Sequence, residues 1–215
     1  MSDFVNSEFF TYFRLGLGHI ADLKGYDHIL FIVALTAGYA LHDWKRLLWL
    51  VTSFTLGHSI TLALATLQLV RVDAALIELL IPVTIVVTAG YSMLARLARR
   101  GGSGDLGGET VVSAAPPERH LLLYVLAGAF GLIHGLGFSN FLRAILGGEE
   151  SILLPLFAFN VGLEIGQLAI VAVVLIAGAL ACDIAGLPRP RWATGLSLAI
   201  VIAGTQMIIQ RLPGS

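Results

Sequence analysis

The chain has 215 residues, 57% of them hydrophobic and only 13% charged, with a formal net charge of −1 and a mean hydropathy of +0.86. Soluble domains lie near half apolar and a quarter charged, so this composition excludes an ordinary soluble enzyme, and without a basic stripe it gives no nucleic-acid partner. A single cysteine, Cys182, excludes an intrachain disulfide and a thiolate metal cluster.

Several apolar runs exceed the ~18 residues that mark a membrane-spanning helix. None alternates at period two over ~10 residues as a barrel strand does. The expected fold class is therefore all-α, a polytopic helical membrane protein in a lipid bilayer. It should have about six transmembrane helices and a short N-terminal interfacial or re-entrant helix.

The opening MSDFVNSEFF has acidic residues where a signal peptide needs basic ones, so no cleaved signal is expected. Residues 8–22 are apolar but short, and Arg14 and His19 interrupt them; they form the interfacial or re-entrant helix. The spans follow at 26–41, 47–70, 74–97, 121–146, 152–181 and 192–210. Pro82 predicts a kink in the third, tolerable where neighbours satisfy the freed backbone. The stretch 98–119 is rich in Gly, Ser and Pro and reads as a flexible loop within one domain covering 1–215.

Six spans put both termini on one side of the membrane. Lys45, Arg46, Arg96, Arg99, Arg100, Arg119, Arg189 and Arg191 share one side, against Arg14, Lys24, Arg71, Arg143 and Arg211 on the other. The positive-inside rule then makes the 42–46, 98–119 and 182–191 loops cytoplasmic and both termini external.

Polar residues within these spans carry the functional argument. At ~1.5 Å per residue, His58, His134 and Glu164 each lie about 18 Å below the outer end of their helix. Three ionisable side chains from three helices thus share a depth. Thr55, Ser59 and Thr61 accompany His58, while Asn160 and Gln167 lie on the helical face of Glu164. Gly128, Gly131, Gly135 and Gly137 flank His134, and small residues at such spacings let membrane helices approach closely.

An intramembrane acid costs roughly 3 kcal/mol on insertion scales, so Glu164 should be paired, protonated or bound to a cation. By contrast, His58 taken alone is more often a helix–helix hydrogen bonder. Hydroxyls beside it commonly bond the carbonyl one turn back. In GLGHIADLKGYDHILF, His19, Asp27 and His28 are close in sequence; Asp27 could equally serve as a helix cap. Imidazole and carboxylate donors without thiolates suit Ni, Co, Zn, Mn or Fe(II). His42 and His120 lie beside charged loops and receive no role. Glu78 could pair with Arg71 or act as a gate.

The ordered set G-H-I…G-Y-D-H-I-L-F, F-T-L-G-H-S-I-T-L, G-L-I-H-G-L-G-F and F-N-V-G-L-E-I-G-Q resembles the HupE/UreJ family of bacterial membrane proteins, closer to its second branch. The resemblance implies an inner-membrane protein linked to nickel supply, of a kind described as nickel or cobalt permeases. The metal-handling positions it implies are His19, Asp27, His28, His58, His134 and Glu164, with Asn160 and Gln167 as supports. It departs at 89–93, where Ala-Gly-Tyr-Ser-Met replaces an acidic-amide pair.

The leading functional expectation is a divalent transition-metal permease (Ni, Co or Zn), with the metal as substrate or cofactor and room for a homo-oligomer. One alternative is an intramembrane zinc-type hydrolase, with His58, His134 and a carboxylate on the metal and Asp27 as general base. Another is a bis-His haem protein using two of His28, His58 and His134. The cytoplasmic halves of the spans offer few polar residues, chiefly Thr52, Ser53 and Gln167.

Overall fold

The computed structural model describes residues 2–23, 25–100, 117–146 and 151–212. Its elements are α1 (Ser2–Ile20), α2 (Asp27–Thr36), a 3-10 turn (Leu41–Asp43), α3 (Trp44–Thr66), α4 (Ala74–Arg100), α5 (Pro117–Leu146), α6 (Leu153–Ala179), a π turn (Leu180–Ile184) and α7 (Arg189–Arg211). Much of the expected loop at 98–119 lies outside the described residues.

Five stretches are long and apolar enough to cross a membrane: Leu41–Thr66, Ala74–Leu94, Leu121–Ser139, Leu153–Ile184 and Arg189–Arg211. These match five of the six expected spans. The first, drawn at 26–41, differs: α2 has ten residues, a rise of about 15 Å against a hydrocarbon core of about 30 Å. It ends at Thr36, whose hydroxyl turns back to the Ile32 carbonyl.

The N-terminal helix α1 accompanies this short element within the bundle. Rather than lying flat, α1 packs along α6, with Gly16 against the Phe159 carbonyl and Gly162 against the Phe13 carbonyl. Its last residue, Ile20, meets Gly166. Gly166 is thirteen residues into α6, about 20 Å from that helix's start.

Three helix pairs dominate the packing: α3 with α5, α1 with α6, and α4 with α7; α2 sits among α4, α6 and α7. α3 and α5 also approach closely, where glycine makes it sterically feasible. A methyl group on Gly57 would strike the Gly128 carbonyl, on Gly131 the Phe54 carbonyl, and on Gly135 the His58 carbonyl. Thr61 ties the same seam by donating to Leu132 O at 2.8 Å.

Pro82 lies within the continuous α4. Lacking an N–H, it leaves the carbonyl of residue 78 without its helical donor. Arg211, from the end of α7, donates to that Glu78 carbonyl at 2.6 Å, while its other terminal nitrogen lies 3.7 Å from Asp27 Oδ2. One guanidinium thus joins α4, α7 and the head of α2. Arg71 bonds Gln68, and among the described residues it forms no ion pair with Glu78, so of the two roles open to Glu78 the pair with Arg71 is not made.

Two expectations follow. Gly57→Ala and Gly131→Ala should each lower the thermal unfolding midpoint in detergent, as overpacking costs about 1–3 kcal/mol. Gly18→Ala, where a methyl group meets nothing, should not. Arg211→Met should destabilise by roughly 1–3 kcal/mol through the orphaned carbonyl. Adding Pro82→Ala to Arg211→Met should recover part of that loss, because an alanine at that position restores a backbone N–H for the Glu78 carbonyl. Strict additivity in the double-mutant cycle would refute the pairing.

Candidate metal centre

Four helices deliver one histidine each to a common point. His19 is the penultimate residue of α1, His28 lies in the first turn of α2, and His58 and His134 sit mid-way along α3 and α5. The glycine contacts of α3 and α5 hold the last two at one level, and both are 0% exposed. Ring centroids are 4.6 Å apart for His19–His28, 5.2 Å for His28–His134, 5.9 Å for His28–His58 and 6.0 Å for His19–His58.

Hydrogen bonds fix two of the tautomers. Asp27 Oδ1 lies 2.9 Å from the His28 backbone N–H and 3.0 Å from His28 Nδ1. An ionised carboxylate only accepts, so Nδ1 carries the proton and Nε2 keeps a lone pair. His134 Nδ1 is 2.8 Å from Phe130 O, and the carbonyl forces the same tautomer. This is the arrangement in which an outer hydrogen bond orients a metal-ligating imidazole.

The Nε2 atoms of His19, His28, His58 and His134 are all buried without a hydrogen-bond partner, as is His58 Nδ1. A buried polar atom left unsatisfied costs about 1–3 kcal/mol, and this many in one place call for a guest. A collar of aromatic rings closes the cluster: Phe31 and Phe54 each lie 5.1 Å from His134, and Phe138 lies 3.8 Å from His19. The rings meet edge to face, with interplanar angles of 64–69° in three of the pairs. Accordingly, among the described residues no three His, Cys, Asp or Glu side chains stand ready to hold a metal ion; rotation of the rings would be needed.

Glu164, expected in the same site, stands apart from the histidines. Ser59, beside His58, meets Asn160 at 2.6 Å, while Glu164 accepts from Thr52 at 2.6 Å, further along both helices. Gln167 Oε1 accepts from Thr55 at 2.8 Å. Equal counts from the helix ends did not make these groups neighbours, because α6 is offset along its axis so that Glu164 lies level with Thr52 and Asn160 with Ser59. Thr55, Ser59, Asn160 and Gln167 therefore build a polar seam between α3 and α6.

At the end of the bundle that carries the 67–73 turn, a cavity of about 740 Å³ is lined by Gln68, Arg71, Glu78, Ser139 and Arg143 among others. Leu136 and Gly137 also line it, two and three residues beyond His134. Sequence reasoning missed Arg211 and the aromatic collar. The signal for Arg211 was available, since Pro82 leaves a carbonyl needing a donor.

None of the curated proteins and none of the solved structures gives a significant match. A family model described as HupE / UreJ protein matches residues 1–211, which covers all four helices that bear the histidines and the seam on α6. The chain is a multi-pass membrane protein of the HupE/UreJ family.

Proposed function

We propose that the protein is a permease for a divalent transition-metal ion, nickel or cobalt before zinc. The observation that carries this reading is the set of four buried imidazole Nε2 atoms, from four helices, that lack any partner. His19, His28, His58 and His134 would exchange the ion among themselves, with Asp27 orienting His28. Borderline divalent ions suit such nitrogen donors.

The edge-to-face rings favour a cargo site over a resident one. Passage requires binding strong enough to enter and weak enough to leave, and ligands that must rotate to engage bind less tightly than a preformed set. The cavity lined by Arg71 and Glu78 supplies an approach from one side, and the α3–α6 seam supplies polar groups beyond the cluster. The zinc-hydrolase reading fits less well, because Asp27, its general base, is engaged by His28 and Arg211. A haem between two of the rings would have to displace Phe31, Phe54 or Phe138. On the distribution of Lys and Arg, the cavity faces outward; the inner membrane is the setting that the family implies.

Calorimetric titration of the detergent-purified protein with Ni²⁺, Co²⁺ and Zn²⁺ tests the reading. Asp27→Asn should weaken binding by about 10–100-fold, the usual cost of losing a ligand's support, and His134→Ala, which removes a ligand, should weaken it at least as much. Affinity should fall as pH drops, because protons compete for the same lone pairs. Binding that is absent in the wild type, or indifferent to both substitutions, would contradict it.

A further inference from the structure

The α3–α6 seam differs in chemistry from the histidine cluster. Its groups are a carboxylate, two amides and three hydroxyls, from Glu164, Asn160, Gln167, Thr52, Thr55 and Ser59. Two of its buried atoms lack partners, Glu164 Oε2 and Gln167 Nε2, and Gln167 is 0% exposed. They lie three residues apart on α6, on one helical face.

One of these atoms accepts hydrogen bonds and the other donates them. A bare metal ion would satisfy the carboxylate oxygen but not the amide N–H. A water molecule satisfies both, donating to the carboxylate and accepting from the amide. The Thr52 hydroxyl bonds Oε1 alone and leaves Oε2 free to take a proton. No cation bonds the carboxylate among the described residues: the buried or half-buried titratable groups on elements packed against α6 are Glu8, Tyr12, His19, Asp27, His28, Asp43, Arg46, His58 and Cys182, and the arginine among them is bonded to Asp43. An acid at this depth needs neutralising, and a proton is the counter-charge this seam can deliver.

We propose that Glu164, with Gln167, Thr52 and Thr55, forms a proton site separate from the histidine cluster, through which metal movement is coupled to protons. The carboxylate accepts a proton from water of the seam and becomes a neutral carboxyl; release returns the proton to water. The coupling rests on the permease reading, but the site itself does not.

Infrared difference spectroscopy on the purified protein, with acidification alone as the trigger, tests the site. The wild type should gain a protonated-carboxyl band that is missing in Glu164→Gln and shifted in Thr52→Val. Proteoliposomes holding a pH-sensitive dye test the coupling: added Ni²⁺ should move protons in the wild type and not in Glu164→Gln, while Ni²⁺ titration of that variant stays unchanged. A band identical in wild type and Glu164→Gln overturns the proposal, and so does one that responds to Na⁺ in place of pH. Loss of Ni²⁺ binding in a folded Glu164→Gln would make Glu164 a ligand and also overturn it. If the wild type binds no Ni²⁺ yet shows the band, the proton site stands and the permease reading falls.

Discussion

The centre of this molecule depends on backbone-to-backbone contact between α3 and α5. Gly57, Gly131 and Gly135 let the two helices approach until any side chain larger than hydrogen would meet a carbonyl. Without that contact His58 and His134 would not share a buried level, and Thr61 could not reach the Leu132 carbonyl. The same device recurs between α1 and α6, where Gly16 and Gly162 face the opposing chain. Two tight glycine pairs thus carry three of the four histidines, and the short α2 brings the fourth. Dispersion at close range is the available driving force, since lipid removes the hydrophobic advantage of helix association.

That framework sets polar groups in two chemically distinct layers. Nitrogen donors gather where α1, α2, α3 and α5 meet, ringed by Phe31, Phe54 and Phe138. Oxygen and amide groups gather between α3 and α6, beyond Ser59. Nitrogen donors favour borderline divalent ions, whereas oxygen donors favour hard ions and protons. Arg211 stabilises the junction from outside, by satisfying the carbonyl that Pro82 frees and neutralising Asp27 as Asp27 orients His28. Substitution at Arg211 is therefore a perturbation of both fold and site.

Much of this was legible in the chain, for reasons that particular residues make plain. The depth arithmetic aligned His58 with His134 correctly because both helices run the same way and pack at close range. It failed for Glu164, because rise per residue says nothing about how far α6 is displaced along its axis. The apolar run 26–41 looked like a span, yet the helix stops at Thr36, where a hydroxyl and the following Ala-Gly weaken it; apolarity alone does not register that break. Asp27 read equally as a helix cap or a ligand; its carboxylate accepts from both the His28 backbone N–H and His28 Nδ1, a double contact that spacing alone does not reveal. The glycines near His134 were read as packing residues, which is the part they take.

The most direct test of the account is X-ray absorption at the metal edge of the Ni²⁺-loaded protein, wild type beside His134→Ala. The account predicts a first shell with the scattering signature of several imidazoles, reduced in the variant. A shell of oxygen donors alone, or one that His134→Ala leaves unchanged, would place the ion elsewhere and contradict the histidine cluster as the metal's path.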